Sequence, residues 1–189
     1  KNMFCNDISE PIALIFSDET PKLLYYSHLP VLFVALIFGL LILLKNKSLE
    51  SRLLLAISSF YSLWIFVDLV NWTNIDSRIV IVSWSFMNLL FLLVLIFLLY
   101  FSYVFLYRKD ISSRCLIIGS LPVVLYAMIL PTAYNISGFD LAICEATQTY
   151  FEKILFHLLQ TFYYLWLLVF LIRHTWHNSF SKILHRDTL

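Results

Sequence analysis

Among the polar side chains inside predominantly apolar stretches, five stand out: His28, Asp68, Asn88, His157 and Gln160. An imidazole and a carboxylate can share a proton or hold a polar ligand, and amides can orient one. Spacing sorts these groups. Tyr61, Trp64, Asp68 and Trp72 follow one another at three or four residues, and His157, Gln160, Thr161 and Tyr164 keep a similar spacing. Each set therefore falls on one face of a helix. At 1.5 Å per residue, His28 lies about 7 Å inside its stretch and Asn88 about 15 Å inside its own. The expectation is a ligand pocket open to the outside, lined by His28, Trp64, Asp68, Asn88, His157, Gln160 and Tyr164, with the rings supplying stacking area. The competing reading has the same polar groups bonding one another across packed helices, and the aromatic residues near helix ends acting as interfacial anchors. If His28 and Asp68 meet, protonation changes their contact.

Other chemistries lack residues. The chain has three glycines and no phosphate-binding loop, G-x-S-x-G, H-E-x-x-H or paired carboxylates. No lysine sits in the middle of an apolar stretch, so a retinal Schiff base has no candidate. His174, His177 and His185 share a helical arc, but no cysteine or carboxylate completes a site, so neither a metal nor a cofactor is expected. A net charge of +1 gives no reason to expect nucleic acid as a partner. Of the three cysteines, Cys5 and Cys144 are expected outside, where an oxidising compartment permits a bridge, and Cys115 near the cytoplasmic face. Spacing leaves the bridged and free states of Cys5 and Cys144 both open. Asn71-Trp72-Thr73 and Asn135-Ile136-Ser137 fit the glycosylation pattern.

The elements that carry these residues follow from composition. Of 189 residues, 61% are hydrophobic and 13% charged, with mean hydropathy +0.84. A water-soluble domain carries about 25% charged residues, so lipid is the expected solvent and the bilayer the expected partner. About 20 apolar residues in helix cross the hydrocarbon. Five stretches qualify, near 23–44, 53–70, 79–106, 115–134 and 150–172. Pro30 and Pro122 predict kinks. The expected fold is all-α, a polytopic transmembrane helix bundle of five spans. Residues 1–22 form an outer segment, and 173–189 an amphipathic juxtamembrane segment lying on the cytoplasmic lipid surface.

Orientation comes from the basic residues. Lys45, Lys47, Arg52, Arg108, Lys109, Arg114, Arg173, Lys182 and Arg186 collect on one side, against Lys1, Lys22, Arg78 and Lys153 on the other. The expectation is an N-terminus outside and a C-terminus in the cytoplasm, in a plasma (inner) membrane. A chain that opens on Lys1 and closes at Leu189 beside an apolar stretch reads as a piece of a longer protein.

Several short runs carry a family likeness: Ser27-His28-Leu29-Pro30, Leu63-Trp64 with Asp68-Leu69 and Asn71-Trp72, Trp84-Ser85-Phe86, the aromatic stretch Tyr100 to Phe105, and Phe139-Asp140 with Cys144-Glu145. Together they resemble the N-terminal seven-helix membrane region of bacterial sensor histidine kinases. That resemblance implies a sensory input module of a two-component system, whose later helices feed a cytoplasmic dimerisation and kinase portion. The chain departs from the pattern in having five of the helices and neither the phospho-acceptor histidine box nor ATP-binding motifs, so by itself it is expected not to be an enzyme. A homodimer would form through the missing cytoplasmic regions. The expected function is membrane-embedded sensing of a small molecule or a proton. The alternatives are a small transporter with a polar route through His28, Asp68 and His157, and, third, a lipid-acting membrane enzyme.

Overall fold

Short polar side chains set the helix starts. Ser48 Oγ accepts from the Ser51 N–H at 3.3 Å, Asp76 Oδ1 from the Arg78 N–H at 2.8 Å, Ser112 Oγ from the Cys115 N–H at 3.4 Å and Thr149 Oγ1 from the Glu152 N–H at 3.1 Å. Each satisfies a backbone donor that the first helical turn leaves without a partner. A computed structural model describes residues 22–74, 76–140 and 145–186, with side chains through Thr175. In it these caps open α2 (Leu49–Thr73), α3 (Ser77–Tyr107), α4 (Ser113–Ile129) and α5 (Tyr150–Arg186), preceded by α1 (Lys22–Lys45). Cys5 and Cys144 lie outside the described residues; Cys115 is a free, exposed thiol.

Two elements differ from expectation. The fourth apolar stretch stops being helical at Ile129. Pro131 has no N–H to continue the ladder, and the chain tightens into turns, with Leu130 N–H on Ala127 O, Thr132 N–H on Ile129 O and Asn135 N–H on Thr132 O. The stretch from Asn135 to Thr149 then contains an antiparallel pair, β1 (Ile136–Asp140) and β2 (Glu145–Gln148), in a fold expected to be wholly helical. Gly138 faces Thr147, Phe139 faces Ala146 and Asp140 faces Glu145, with an irregularity between Ile136 and Gly138. Both strands pack against α3. α5 runs on from the fifth apolar stretch to Arg186.

Packing follows chain order: α1 lies on α2, α2 on α3, and α3 also contacts α4 and α5. The α1–α2 seam uses small residues. Gly39 is the buried residue of α1, and a Cβ there would stand 2.9 Å from Ser58 Oγ and 3.3 Å from Leu55 Cα. Beside it, Ser62 Oγ donates to Leu32 O at 3.1 Å. Close backbone approach through such residues is the usual way apolar helices pack without a hydrophobic drive between them. The larger core joins α3, α4 and α5 through Leu92, Leu95, Val123, Tyr126 and Tyr163.

Outward faces remain apolar. Val34 is 65% exposed, Leu41 59% and Val169 61%. Four helices are long and apolar enough to cross a membrane, and α4 is a shorter apolar helix of 17 residues. The protein is thus a mostly helical bundle of apolar helices compatible with a polytopic membrane protein, and these helices support an integral-membrane location. The loops after α1 and α3 share one rim, where Arg108 Nη1 meets Glu50 Oε1 at 3.4 Å. Lys45, Lys47, Arg52, Lys109 and Arg114 cluster in or next to these loops, so this is the basic rim.

Candidate functional site

Of the polar residues singled out in the sequence, His28 and Asp68 come together. Both lie within about 9 Å of their helix ends, at the rim opposite the basic one. His28 Nε2 stands 3.0 Å from Asp68 Oδ2, with side chains 21% and 23% exposed. The second ring nitrogen is also engaged: His28 Nδ1 lies 2.9 Å from both Leu24 O and Ser27 Oγ, and Ser27 Oγ lies 2.9 Å from Leu24 O. Two proton arrangements satisfy this geometry. In the neutral ring, Nε2–H donates to Asp68 while Nδ1 accepts from the Ser27 hydroxyl. In the charged ring, both nitrogens donate, to Asp68 and to Leu24 O, and the Ser27 hydroxyl turns to Leu24 O. Protonation of the ring therefore reorients Ser27 and turns a hydrogen bond from a neutral imidazole to the carboxylate into an ion pair between α1 and α2.

Asn88 joins a different centre. Its Nδ2 donates to Glu152 Oε1 at 2.8 Å, and Tyr126 Oη donates to the same oxygen at 2.5 Å. Glu152 is 1% exposed and its Oε2 has no hydrogen-bond partner. One carboxylate thus links α3, α4 and the first turn of α5. Glu152 is not among the polar side chains that stand out in the apolar stretches of the sequence. A usable signal was present in Thr149-Tyr150-Phe151-Glu152, the T-x-x-E spacing of a capping box. The structure uses half of that box: Thr149 caps Glu152, but the Thr149 N–H bonds Asn135 O at 3.1 Å, which releases the glutamate side chain inward.

His157, Gln160 and Tyr164 stay together on α5. His157 Nδ1 lies 3.4 Å from Gln160 Oε1, and Gln160 Nε2 donates to Tyr164 Oη at 3.4 Å. His157 and Tyr164 are exposed, so this stripe turns away from the bundle and does not share a lining with the other two centres. Trp64 lies between those centres. Its ring centroid is 6.1 Å from Tyr61 and 6.1 Å from Phe91; Phe91 is 6.0 Å from Phe156, and Phe156 6.5 Å from Tyr126. A file of aromatic rings therefore runs from the His28–Asp68 helix pair to the Glu152 centre.

Both glycosylation asparagines are occupied inside the fold. Asn135 is 3% exposed and donates to Leu130 O at 3.0 Å, while Asn71 donates to Met87 Sδ at 3.6 Å with its Oδ1 buried. Among the described residues no group of three or more His, Cys, Asp or Glu could hold a metal.

No protein-family model matches this chain, and no curated protein or solved structure matches it either. The likeness to sensor-kinase membrane regions therefore rests on the short runs quoted above, and the fold supports a generic polytopic membrane segment.

Proposed function

We propose that this chain is the membrane-embedded sensory input module of a signal-transduction protein of the sensor histidine kinase type. It crosses the plasma (inner) membrane five times with its N-terminus outside. The fifth crossing is α4: it starts at the basic rim, packs through Val123 and Tyr126 against α3 and α5, and gains length from the turns through Asn135. The observation that carries the functional reading is the His28–Asp68 contact of 3.0 Å. It joins α1 to α2 near the outer rim, and its protonation alters both its charge and the Ser27 hydroxyl. A stimulus that binds one arrangement better than the other shifts their populations, which is what a signal requires. An aromatic file leads from Tyr61 and Trp64 on α2 to the α3–α5 side, whose last helix continues to Arg186.

The deciding experiment uses the native gene product in membrane vesicles with labelled ATP, comparing wild type with Asp68→Asn and His28→Ala. The sensor reading expects phosphorylation on histidine, with a stimulus response lost or fixed in both variants while the protein level is unchanged. Absence of phosphotransfer, together with solute flux in proteoliposomes that Asp68→Asn abolishes, would establish the transporter reading instead.

A further inference from the structure

A cavity of about 430 Å³ lies between α3, α4 and α5 at the basic rim, far from the His28–Asp68 contact. Its volume falls within the range of roughly 300–1,000 Å³ usual for small-molecule sites. Gly119 lines its inner end. A Cβ on that residue would lie only 3.4 Å from the Trp166 ring, and Tyr163 Oη donates to Gly119 O at 2.7 Å, closing the inner end. From there the walls run along Ile96–Tyr103 of α3 and Tyr163–Phe170 of α5, two helical turns or about 10 Å, to the α3–α4 loop. The lining is aliphatic and aromatic except near that loop.

At the mouth stands Asp110, the charged group on the cavity wall. Tyr100 Oη donates to its Oδ1 at 2.6 Å, and the Ile111 N–H donates to the same oxygen at 2.7 Å. The carboxylate is thereby fixed in direction, while Oδ2 meets no donor among the described residues. No described cation lies within 4.0 Å of it; Arg108, its neighbour along the chain, turns instead to Glu50 and the Phe105 ring. Lys109 and Arg114 do not line the cavity. Tyr100 and Tyr103, one turn apart on α3, both line the same wall.

An apolar slot ending in an oriented carboxylate with flanking tyrosine rings selects a cation that carries a hydrocarbon tail. A carboxylate or phosphate head would be repelled by Asp110. We infer that the α3–α4–α5 cavity is a binding site for a small amphipathic amine, its tail against Gly119 and Trp166 and its ammonium on Asp110 Oδ2. This site is independent of the sensory reading built on His28 and Asp68.

Cys115 supplies the readout, since it is a free, exposed thiol that also lines the cavity. The full chain in phosphatidylcholine nanodiscs is treated with a maleimide, and modification is followed by mass spectrometry of the Cys115 peptide. Octylammonium is expected to slow modification about tenfold or more, saturably, while octanoate and octanol leave the rate near its starting value. Asp110→Asn, an exposed loop change, should abolish the protection without lowering the thermal midpoint. Gly119→Leu should abolish it by filling the slot, and Gly119→Ala, which makes only an ordinary contact with Trp166, should retain it. Equal protection by octanol or octanoate, protection that survives Asp110→Asn, or no protection by octylammonium in the wild type would each overturn the site.

Discussion

Tyr126 Oη donates to Glu152 Oε1 at 2.5 Å in a place where Tyr126 and Glu152 are each 1% exposed. This bond fastens α4 to the first turn of α5, and Asn88 fastens α3 to the same oxygen. Between α4 and α5 a shared acceptor fixes the relative height of the helices in a way that interchangeable aliphatic contacts do not. The unpartnered Oε2 makes the arrangement sensitive to loss of either donor.

Tyr126→Phe should lower stability by about 1–3 kcal/mol, since it removes a donor from a buried carboxylate without changing packing. Glu152→Gln, which keeps an oxygen acceptor for both donors, should cost less. Denaturation in mixed micelles measures both, and the double variant should show non-additivity because the two residues share the bond. A Tyr126→Phe protein as stable as the wild type would show that the bond contributes nothing.

Gly39→Ala should loosen α1 from α2. The new methyl would meet Ser58 Oγ at 2.9 Å and Ser58 Cβ at 3.0 Å, and rotating the hydroxyl away leaves the Cβ contact in place. Overpacking of this kind costs about 1–3 kcal/mol. Ser58→Gly in the same chain should recover part of the loss. Crosslinking between cysteines placed on α1 and α2 would report the seam directly.

Arg108 has φ 53° and ψ 28°, the left-handed conformation that glycine adopts without penalty, and its N–H closes α3 onto Val104 O at 2.8 Å. Its guanidinium is 71% exposed and its contact with Glu50 is 3.4 Å, so the pair adds little. Arg108→Gly should therefore be more stable than Arg108→Ala by about 1 kcal/mol, because both lose the pair and only alanine keeps the backbone strain. Thermal midpoints of the two variants, compared at equal salt, test this.

Asp76 caps α3, and the Arg78 backbone N–H holds its carboxyl below the ordinary value of 3.8, against an opposing effect of burial. A depressed folded-state value means that this contribution is present above the unfolded value and is lost as pH falls through the folded one. Stability should decline as pH drops below about 4. Asp76→Asn, which still caps but does not titrate, should flatten that part of the profile. An unchanged slope between pH 5 and 3 in the variant would place the acid sensitivity on other carboxylates.

Parts of the site were legible because they obey local rules. His28 and Asp68 each stood out as an ionisable group within about 9 Å of the end of an apolar helix, and such groups seek one another in lipid. The stripe His157–Gln160–Tyr164 was equally plain from spacing. The side of α5 that faces the bundle was not, because the helix is apolar nearly all round and one apolar face resembles another when lipid and protein are equally welcoming. Tyr163 is 1% exposed and Tyr164 45%, adjacent residues of one type with opposite fates.

Sequence alone determined that the chain forms long apolar helices, where most of them begin and end, and that its basic residues gather at one rim. These follow from hydropathy, caps and prolines, which act over a few residues. Tertiary structure decided which polar groups pair. The α4 helix ends at Ile129 and a hairpin packs on α3, so α5 begins level with Asn88, about 17 Å along α3 from Ser77, and Glu152 enters the core there. The relative height of two helices depends on the turns and strands that join them and on the side chains between them, and no local pattern encodes it.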